Sequence, residues 1–329
     1  MFVETDRAEV RGRWLRQQLS DNYLVAPLAG DASFRRYFRV KHAEKDYVLM
    51  DAPPPHEDVS LFLAVRDWFE RAGLRVSALY GKDIEQGFLL LEDFGDMTWS
   101  SYYAAGKAPG PLFDDALRQL QLLQASQPGL VLPQFDVARM QRECDLYLDW
   151  YLPHVAGVVP TDVQRLAFHQ SLRDTLSAIA SLPQVPVHLD YHSRNLMLPG
   201  GKLPLGQIDY QDAVRGPVTY DLASLLYDCY QDYPETERFA CSAHFFESLP
   251  AVHSGAFSDV DEWHRLLRLT ALQRHIKAIG IFGRLAHRDG KSQFLDEIPL
   301  TRKHLHEEMQ VLGMKESAFP LLYIEPVNR

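Results

Sequence analysis

Apolar and polar residues alternate in short runs over the first 95 positions, and this pattern predicts a small sheet with few helices. An apolar residue at every second position is typical of a half-buried strand, as in the shared parity of Phe34, Phe38 and Val40. Apolar residues at i, i+3 and i+4 instead indicate an amphipathic helix. We therefore predict strands over 23–28, 34–41, 47–50 and from 88 onward, and helices over 5–19 and 57–72.

From about residue 98 the apolar positions follow helical spacing almost to the end of the chain. The pattern breaks between the third and fourth of these helices, where short apolar segments flank a Pro-Gly-Gly turn and predict two short strands. A chain of 329 residues exceeds one typical domain, so we expect two lobes. The predicted helices cover 113–126, 136–152, 162–182, 221–231, 235–248, 259–288 and 299–312, before an extended tail over 315–329.

The composition narrows the class of protein. Apolar residues make up 46% of the chain, which supports packed cores and argues against disorder. A net charge of −10 gives no general nucleic-acid signature. The chain has neither an apolar run of membrane-spanning length nor a secretory signal, so we expect a cytoplasmic protein without a membrane or nucleic-acid partner. Cys144, Cys229 and Cys241 are expected to be reduced thiols, since three dispersed cysteines form no disulfide framework.

Polar residues concentrate between His188 and Asp209, within the break in the helical pattern. Asp190 can take a proton from a hydroxyl nucleophile, and Asn195 offers a neutral carbonyl oxygen five positions later. Asp209 adds a carboxylate at the end of the second predicted short strand. Magnesium prefers oxygen ligands, and phosphoryl transfer needs a base, a carbonyl ligand and a metal carboxylate. The stretch therefore predicts a magnesium-dependent phosphoryl-transfer site.

A zinc site is the rival interpretation of the same stretch. His188, Asp190 and His192 together could hold zinc, with Asp209 as a further ligand. That interpretation leaves Asn195 and the Gly-Gly hairpin without a role. We therefore favour phosphoryl transfer and expect His192 to be a solvated loop residue.

The stretch resembles the catalytic loop and metal loop of the aminoglycoside phosphotransferase family, which is related to protein kinases. The catalytic loop of that family reads His-x-Asp-x-x-x-x-Asn, a metal-binding Asp follows a hairpin, and all these positions are filled here. The resemblance implies a protein kinase-like α+β fold that uses ATP and Mg²⁺. Its small antiparallel-sheet N-lobe would cover 1–96 and its larger helical C-lobe 97–329.

The resemblance also implies a role for each motif residue. Asp190 would be the catalytic base, Asn195 and Asp209 the metal ligands, and His188 and Asp221 residues that brace the catalytic loop. The phrases Gly30–Arg39 and Tyr47–Pro54 are similar to a branch of the family that phosphorylates the C1 hydroxyl of cell-wall amino sugars. This similarity implies N-acetylmuramate and N-acetylglucosamine as substrates, in cell-wall recycling. Kinases of another small alcohol, such as an aminoglycoside, choline or homoserine, remain the alternative.

The nucleotide would be bound by the first lobe. Small residues followed by two arginines suit a loop that covers phosphates. The strand that begins at residue 88 resembles the family's fifth strand, and the backbone at its end would pair with adenine. The family places a lysine on the third strand, where this chain has Met50 or one of its neighbours instead. Arg35, Arg36, Lys41 or Lys45 could supply that charge, and a catalytically silent nucleotide-binding protein is the other possibility. The predicted nucleotide-binding residues are Gly30, Asp31, Ala32, Ser33, Arg35, Arg36, Glu92, Asp93 and Phe94.

Candidate substrate contacts are less well defined by the sequence. Arg194, inside the catalytic loop, could neutralise developing charge or bind a muramate carboxylate, or form only a surface ion pair. A stripe of aromatic residues on the helix predicted over 136–152 could line a sugar site or belong to the core. Two of the residues that follow Asp209 could also contact the sugar. These candidates are Tyr147, Trp150, Tyr151, Tyr210 and Asp212.

Overall fold

The computed structural model describes residues 2–28, 35–54 and 57–327, with side chains from residue 7 onward. The predicted phosphate loop of Gly30, Asp31, Ala32 and Ser33 lies outside the described residues. The chain forms two compact units. The first runs up to Met97 and includes Met197–Gln211, whereas the second comprises Thr98–Leu196 and the chain from Asp212 onward. The lobe bounds implied by the resemblance, 1–96 and 97–329, instead place 197–211 in the second lobe.

The first unit contains a five-stranded antiparallel sheet in the order β1-β2-β3-β5-β4. Helices α1 (Phe2–Leu19) and α2 (Val59–Arg71) complete its N-terminal part, and Asp58 caps α2 by accepting a hydrogen bond from the Ser60 backbone. The strands are β1 (Tyr23–Pro27), β2 (Arg36–His42), β3 (Lys45–Asp51), β4 (Leu79–Asp83) and β5 (Phe88–Glu92).

Helix α1 is held on the sheet by packing and by charge. Trp14, Leu15 and Leu19 of the helix form a buried cluster with apolar residues of β2, β3 and β5. Asp51, only 1% exposed, accepts hydrogen bonds from Arg7 at 2.7 Å and Arg11 at 3.3 Å. A buried carboxylate without partners would be costly, so these two arginines allow β3 to end inside the unit.

The segment Met197–Gln211 completes the first unit. Its backbone joins the N-terminal part where the Gln207 amide donates to the Arg75 carbonyl at 2.8 Å. The ring of Tyr210 lies 5.1 Å from that of Phe62 and 5.3 Å from that of Phe69, both on α2. These contacts explain why a segment so late in the sequence belongs to the first unit.

The second unit is predominantly helical and also contains an antiparallel strand pair, β6 (Gln184–Val187) with β9 (Val214–Pro217). The short strands β7 (Leu196–Met197) and β8 (Gly206–Gln207) lie between them in sequence. Its helices are α3 (Trp99–Ala104), α4 (Gly110–Ala125), α5 (Val137–Leu146), α6 (Leu152–His154), α7 (Asp162–Ala180), α8 (Tyr220–Leu226), α9 (Glu235–Glu247), α10 (Ala251–Ser254), α11 (Val260–His287) and α12 (Ile298–Val311).

Three predicted elements differ from the structure. The helix predicted over 136–152 is interrupted, because α5 ends at Leu146 and a π-helical segment, Tyr147–Tyr151, follows. The helix predicted over 221–231 ends at Leu226, since Tyr227 leaves the helical conformation. The tail contains two 3-10 turns, Glu316–Ala318 and Pro320–Tyr323, whose Leu321 and Leu322 are buried. The α+β fold class itself is confirmed. Within the described residues, no helix is both long and apolar enough to cross a bilayer.

Candidate active site

The predicted catalytic loop, residues 188–195, connects β6 to β7 and is folded by its own hydrogen bonds. The His192 amide donates to the Asp190 carbonyl at 3.1 Å, and the Asn195 amide donates to the His192 carbonyl at 2.9 Å. The side-chain amide of Asn195 reaches back to the Asp190 carbonyl at 3.0 Å. Leu189 has a φ of 84°, a left-handed conformation that costs energy for a branched residue and is often found at functional sites.

Asp221, at the start of α8, holds the beginning of this loop. Its two carboxylate oxygens accept hydrogen bonds from the backbone amides of His188 at 2.7 Å and Leu189 at 3.1 Å. Burial raises the pKa of Asp221 to about 7, although the two backbone donors act in the opposite direction. His188 contributes from inside the loop, where its Nδ1 accepts a hydrogen bond from the Asp190 amide at 3.3 Å.

Asp228 holds the other end of the loop, and the sequence reasoning missed it. This fully buried carboxylate accepts hydrogen bonds from the backbone amides of Ser193 and Tyr230, both at 2.8 Å. A second acid seven positions after Asp221, within an apolar stretch, was the available signal. The two acids together fix the backbone on both sides of Asp190.

Asp190 itself combines partial exposure with a positive environment. Its side chain is 33% exposed, and its Oδ1 lies 3.9 Å from Nζ of Lys277 on α11. Burial favours the neutral acid, but the charges of Lys277, His192 and Arg274 outweigh it, so the pKa of Asp190 lies below its usual value. Asp190 is therefore a carboxylate at neutral pH and can accept a proton.

The two predicted metal ligands supply the oxygen types that magnesium prefers. Asn195 donates through its side-chain nitrogen to the backbone carbonyl of Asp190, so its side-chain oxygen is the atom that could bind a cation. Asp209, in the first unit, has a φ of 63° and accepts a hydrogen bond from the Gln211 side chain at 2.7 Å. An amide oxygen and a carboxylate are each ligand types that Mg²⁺ accepts, and the binding of one ion by both residues stays a prediction.

The zinc alternative does not agree with the positions of the imidazoles. His188 Nδ1 is bonded to the loop backbone, and His192 Nε2 lies 3.5 Å from the side-chain nitrogen of Asn195. In the described part of the chain, no group of three or more His, Cys, Asp and Glu residues could hold a metal ion. His192 is also not the solvated residue that was predicted, because its ring packs edge-on against Tyr230 at 5.1 Å and its Nδ1 is buried.

Arg194 is bound within the second unit. Its guanidinium donates to the carboxylate of Glu297 and lies 3.7 Å above the ring of Tyr230. The ion pair considered from the sequence is therefore present. A role for Arg194 in charge neutralisation during the reaction stays a prediction.

In the first unit, Arg35 forms the most distinctive charged pair. Its Nε donates to Glu57, just before α2, at 3.0 Å, and both side chains are largely buried. Met50, at or next to the predicted position of the family's strand lysine, is fully buried. Lys41 is 60% exposed, and Lys45 lies over the ring of Tyr80 at 3.8 Å. Arg36 begins β2 opposite Asp51.

The predicted adenine-binding segment, Glu92–Phe94, is firmly anchored. The Glu92 carboxylate pairs with Arg75, and its backbone amide donates to the Ala78 carbonyl at 2.8 Å. Asp93 binds Arg39 and accepts a hydrogen bond from the Gly95 amide. Phe94 is buried against Gly206, where an added Cβ would lie 2.4 Å from its ring. The Glu92 amide is therefore already used within the sheet.

The structure corrects the aromatic sugar contacts. Tyr147 and Tyr151 are fully buried, and their hydroxyls donate to the carbonyls of Leu321 at 3.0 Å and Ile324 at 2.9 Å. They hold the C-terminal segment, so neither ring has a face open to a sugar.

Tyr210 is also buried, between the α2 rings described above, and burial raises the pKa of its hydroxyl. Trp150 stacks on His154 with ring centroids 5.4 Å apart. These contacts give both rings packing partners within their own units. Asp212 is exposed, and its contact with a sugar stays a prediction.

Residues 25–253 match the model of the phosphotransferase enzyme family, which is more than half of the chain. The chain belongs to this family. A relative from Pseudomonas putida, named N-acetylmuramate/N-acetylglucosamine kinase, is 34% identical over 305 residues, covering 89% of each chain. A relative of the same name from Pseudomonas aeruginosa is 38% identical over 282 residues, covering 85% of this chain and 82% of its own.

Solved structures agree on the fold of this family member. LicA in complex with AMP superimposes with a TM-score of 0.61 at 15% identity, covering 91% of this chain and 98% of LicA. The aminoglycoside phosphotransferase APH(4)-Ia superimposes with a TM-score of 0.56 at 14% identity, covering 92% and 98%. At these identities the likeness shows the kinase-like fold, and the predicted fold class is confirmed.

Proposed function

We propose that this protein is an ATP- and Mg²⁺-dependent kinase that phosphorylates the C1 hydroxyl of N-acetylmuramate and N-acetylglucosamine. Family membership and relatives of that name over most of the chain support the substrate class. The observation that carries the proposal is Asp190, an ionised and partly exposed carboxylate in a loop whose backbone Asp221 and Asp228 hold. The physiological setting would be recycling of cell-wall sugars in the cytoplasm.

In the proposed reaction, Asp190 accepts the proton of the sugar hydroxyl as that oxygen attacks the γ-phosphorus of ATP. The new bond joins the sugar oxygen to phosphorus, and the bond to the leaving ADP breaks. A carboxylate with a lowered pKa is a weak base, so it suits the most acidic hydroxyl of a sugar, which is the anomeric one. The backbone contacts of Asp221 and Asp228 keep Asp190 in one position, and positioning supplies much of the catalysis.

Magnesium would be held by Asn195 and Asp209, and when bound it would neutralise charge on the phosphates. We assign the missing lysine's role to Arg35. The family's lysine is paired with an acid on the following helix, and Arg35 has such an acid in Glu57, beside α2. A guanidinium remains charged at any physiological pH and can bind phosphate through two parallel hydrogen bonds.

The proposal is tested by comparing ADP formed with reducing ends lost. Phosphate on C1 locks the sugar ring closed, whereas phosphate on C6 leaves the ring free to open. Incubation with ATP, Mg²⁺ and either amino sugar should remove one reducing end per ADP. Asp190→Ala serves as the control and should lose about 10²–10⁴-fold in turnover, the usual contribution of a positioned base.

If ADP forms while reducing ends persist, the assignment of phosphorylation to C1 is wrong, but the protein is still a sugar kinase. Without any sugar-dependent ADP, the amino-sugar proposal fails. A panel of choline, homoserine and aminoglycosides would then separate a kinase of another alcohol from a silent nucleotide-binding protein.

A further inference from the structure

Helix α11 brings two cations next to Asp190, and the proposed reaction uses neither of them. Arg274 and Lys277 lie three residues apart on this helix. The Lys277 ammonium is 3.9 Å from the Asp190 carboxylate, 3.9 Å from the Glu143 carboxylate and 3.3 Å from the Tyr220 hydroxyl. Its side chain is only 12% exposed, so the ammonium is largely shielded from water.

We propose that Lys277 is a positioning residue for phosphoryl transfer, which orients the Asp190 carboxylate to receive the acceptor's proton. This inference rests on the proposed function, because it takes Asp190 as the base. Lys277 reaches Asp190 from a helix outside the loop, whereas Asp221 and Asp228 hold only the loop backbone. The backbone contacts fix the position of the Asp190 main chain, and the Lys277 ammonium favours one orientation of the Asp190 carboxylate.

The ammonium is fixed from its other side by α5. Glu143 accepts a hydrogen bond from the Gln273 side chain at 3.2 Å and pairs with Arg139 at 3.5 Å, so its carboxylate is held in place. Lys277 lies between this carboxylate and Asp190 at equal distances from both. Contacts on both sides restrict the motion of the lysine side chain. A side chain restricted in this way can hold a neighbouring catalytic group in one orientation.

The local charge argues against Lys277 as a binding site for the muramate carboxylate. Lys277 and Arg274 face three carboxylates, those of Glu143, Asp190 and Asp228. With Arg139, which pairs with Glu143, three cations and three carboxylates already balance before any substrate enters. Arg274 is 6% exposed and lies 5.4 Å from the Tyr220 ring, where it adds positive potential behind the loop. The Lys277 ammonium therefore already has carboxylate partners in Glu143 and Asp190, and a substrate carboxylate is not needed to balance its charge.

The test uses Lys277→Gln, which removes the charge but can still hydrogen-bond to Tyr220 and Glu143. Lys277→Arg keeps the charge, and Lys303→Gln removes an exposed lysine of α12 that pairs with Asp232. We expect Lys277→Gln to lower kcat by about 10- to 100-fold with both amino sugars, because a small displacement of a catalytic group can cost that much. KM for sugar and ATP should stay within about threefold, since binding is not what Lys277 provides.

Lys277→Arg should recover most of kcat, and Lys303→Gln should match the wild type. A wild-type kcat in Lys277→Gln would overturn the inference. So would a loss confined to KM for N-acetylmuramate, which would instead indicate carboxylate binding. If Lys277→Gln unfolds early in a thermal melt, Glu143→Gln replaces it, and the inference then requires a lower kcat at unchanged KM.

The proposed function and this inference fail in different measurements. Sugar-dependent ADP release by the wild type tests the first, and the ratio of variant to wild-type kcat tests the second. ATP affinity, measured by direct titration without sugar, should be the same in the wild type and in Lys277→Gln, Lys277→Arg and Lys303→Gln.

Discussion

At the scale of single residues, the predicted absence of the family's strand lysine at or near Met50 requires a positive charge from another residue. Met50 is fully buried, so no cation is available at its own position. Arg35 and Arg36 are adjacent in sequence but differ in surroundings. Arg35 is paired with Glu57 and largely buried, whereas Arg36 is exposed at the start of β2. The chain therefore contains its own matched pair for testing which arginine acts on ATP.

We expect Arg35→Ala to raise KM for ATP about tenfold or more, and Arg36→Ala to change it far less. A charge-assisted contact to phosphate contributes to binding in the ground state as well as the transition state, so its loss acts on KM. Steady-state kinetics with ATP varied at saturating sugar measures both values. Equal effects of the two substitutions would contradict the assignment to Arg35 and return attention to Lys41 and Lys45.

The site residues expected from the sequence lie in the motifs that carry the family resemblance. Asp190 and Asn195 are five positions apart, and their contact is made within one loop. Lys277 and Asp228 lie outside those motifs and were missed, because no periodic pattern marks contacts that join residues 87 and 35 positions apart. Asp221 contacts the loop from a similar distance in sequence and was expected only from the family resemblance. The sugar contact predicted for the stripe containing Tyr147 was wrong for a related reason. Helical spacing shows that residues share one face of a helix, but not which part of the protein covers that face.

At the scale of elements, the π-helical segment between α5 and α6 is a feature that apolar periodicity along the sequence does not predict. The stripe of apolar residues continues through Tyr147–Tyr151, yet this segment is π-helical. Gly280 of α11 approaches it so closely that an added Cβ would lie 2.4 Å from Leu146 C and Tyr147 N. Because backbone atoms cannot rotate away as a side chain can, the contact requires glycine. The start of the π-helical segment is therefore packed against a residue more than 130 positions later in the chain.

Gly280→Ala should therefore destabilise the protein by about 2 kcal/mol, the usual cost of overpacking a core, despite alanine's better helix propensity. Gly12→Ala, within α1, is the control. The nearest atoms to its added Cβ are at 3.8 and 3.9 Å, so that change should stabilise by ~0.5–1 kcal/mol. Chemical denaturation of both variants measures the free energies. A neutral Gly280→Ala would mean that α11 and the π-helical segment can separate at little cost.

At the scale of the whole molecule, ligand binding should appear as added stability. ATP with Mg²⁺ at a hundred times its Kd adds about 2.7 kcal/mol to a folded state that alone binds it, and several degrees to Tm. In Asp209→Asn, the part of this shift that depends on Mg²⁺ should largely vanish, because one charged ligand becomes neutral.

The control is Asp67→Asn, which neutralises a half-exposed carboxylate of the first unit. Thermal melts with ATP, with and without Mg²⁺ or excess chelator, give the comparison. An undiminished magnesium effect in Asp209→Asn would remove Asp209 from the metal site.

The fold class could be predicted for the whole chain because long amphipathic helices and alternating strands dominate it. The division of the chain could not, since local patterning carries no information on which sheet a later segment joins. Residues 197–211 belong to the first unit through the Gln207–Arg75 backbone bond and the Tyr210 ring on Phe62. Each of these contacts spans more than 130 positions.

This discontinuity has a consequence for the protein during its synthesis. A ribosome adds roughly 5–20 residues per second, so on the order of 10 s separates Met97 from the segment that completes the first unit. Until then Phe62 and Phe69 lack the ring of Tyr210, and Phe94 lacks Gly206. The nascent chain thus carries an incomplete apolar surface while the first helices of the second unit emerge. If the gene were divided anywhere between codons 97 and 197, the N-terminal fragment would lack the segment 197–211 that completes the first unit.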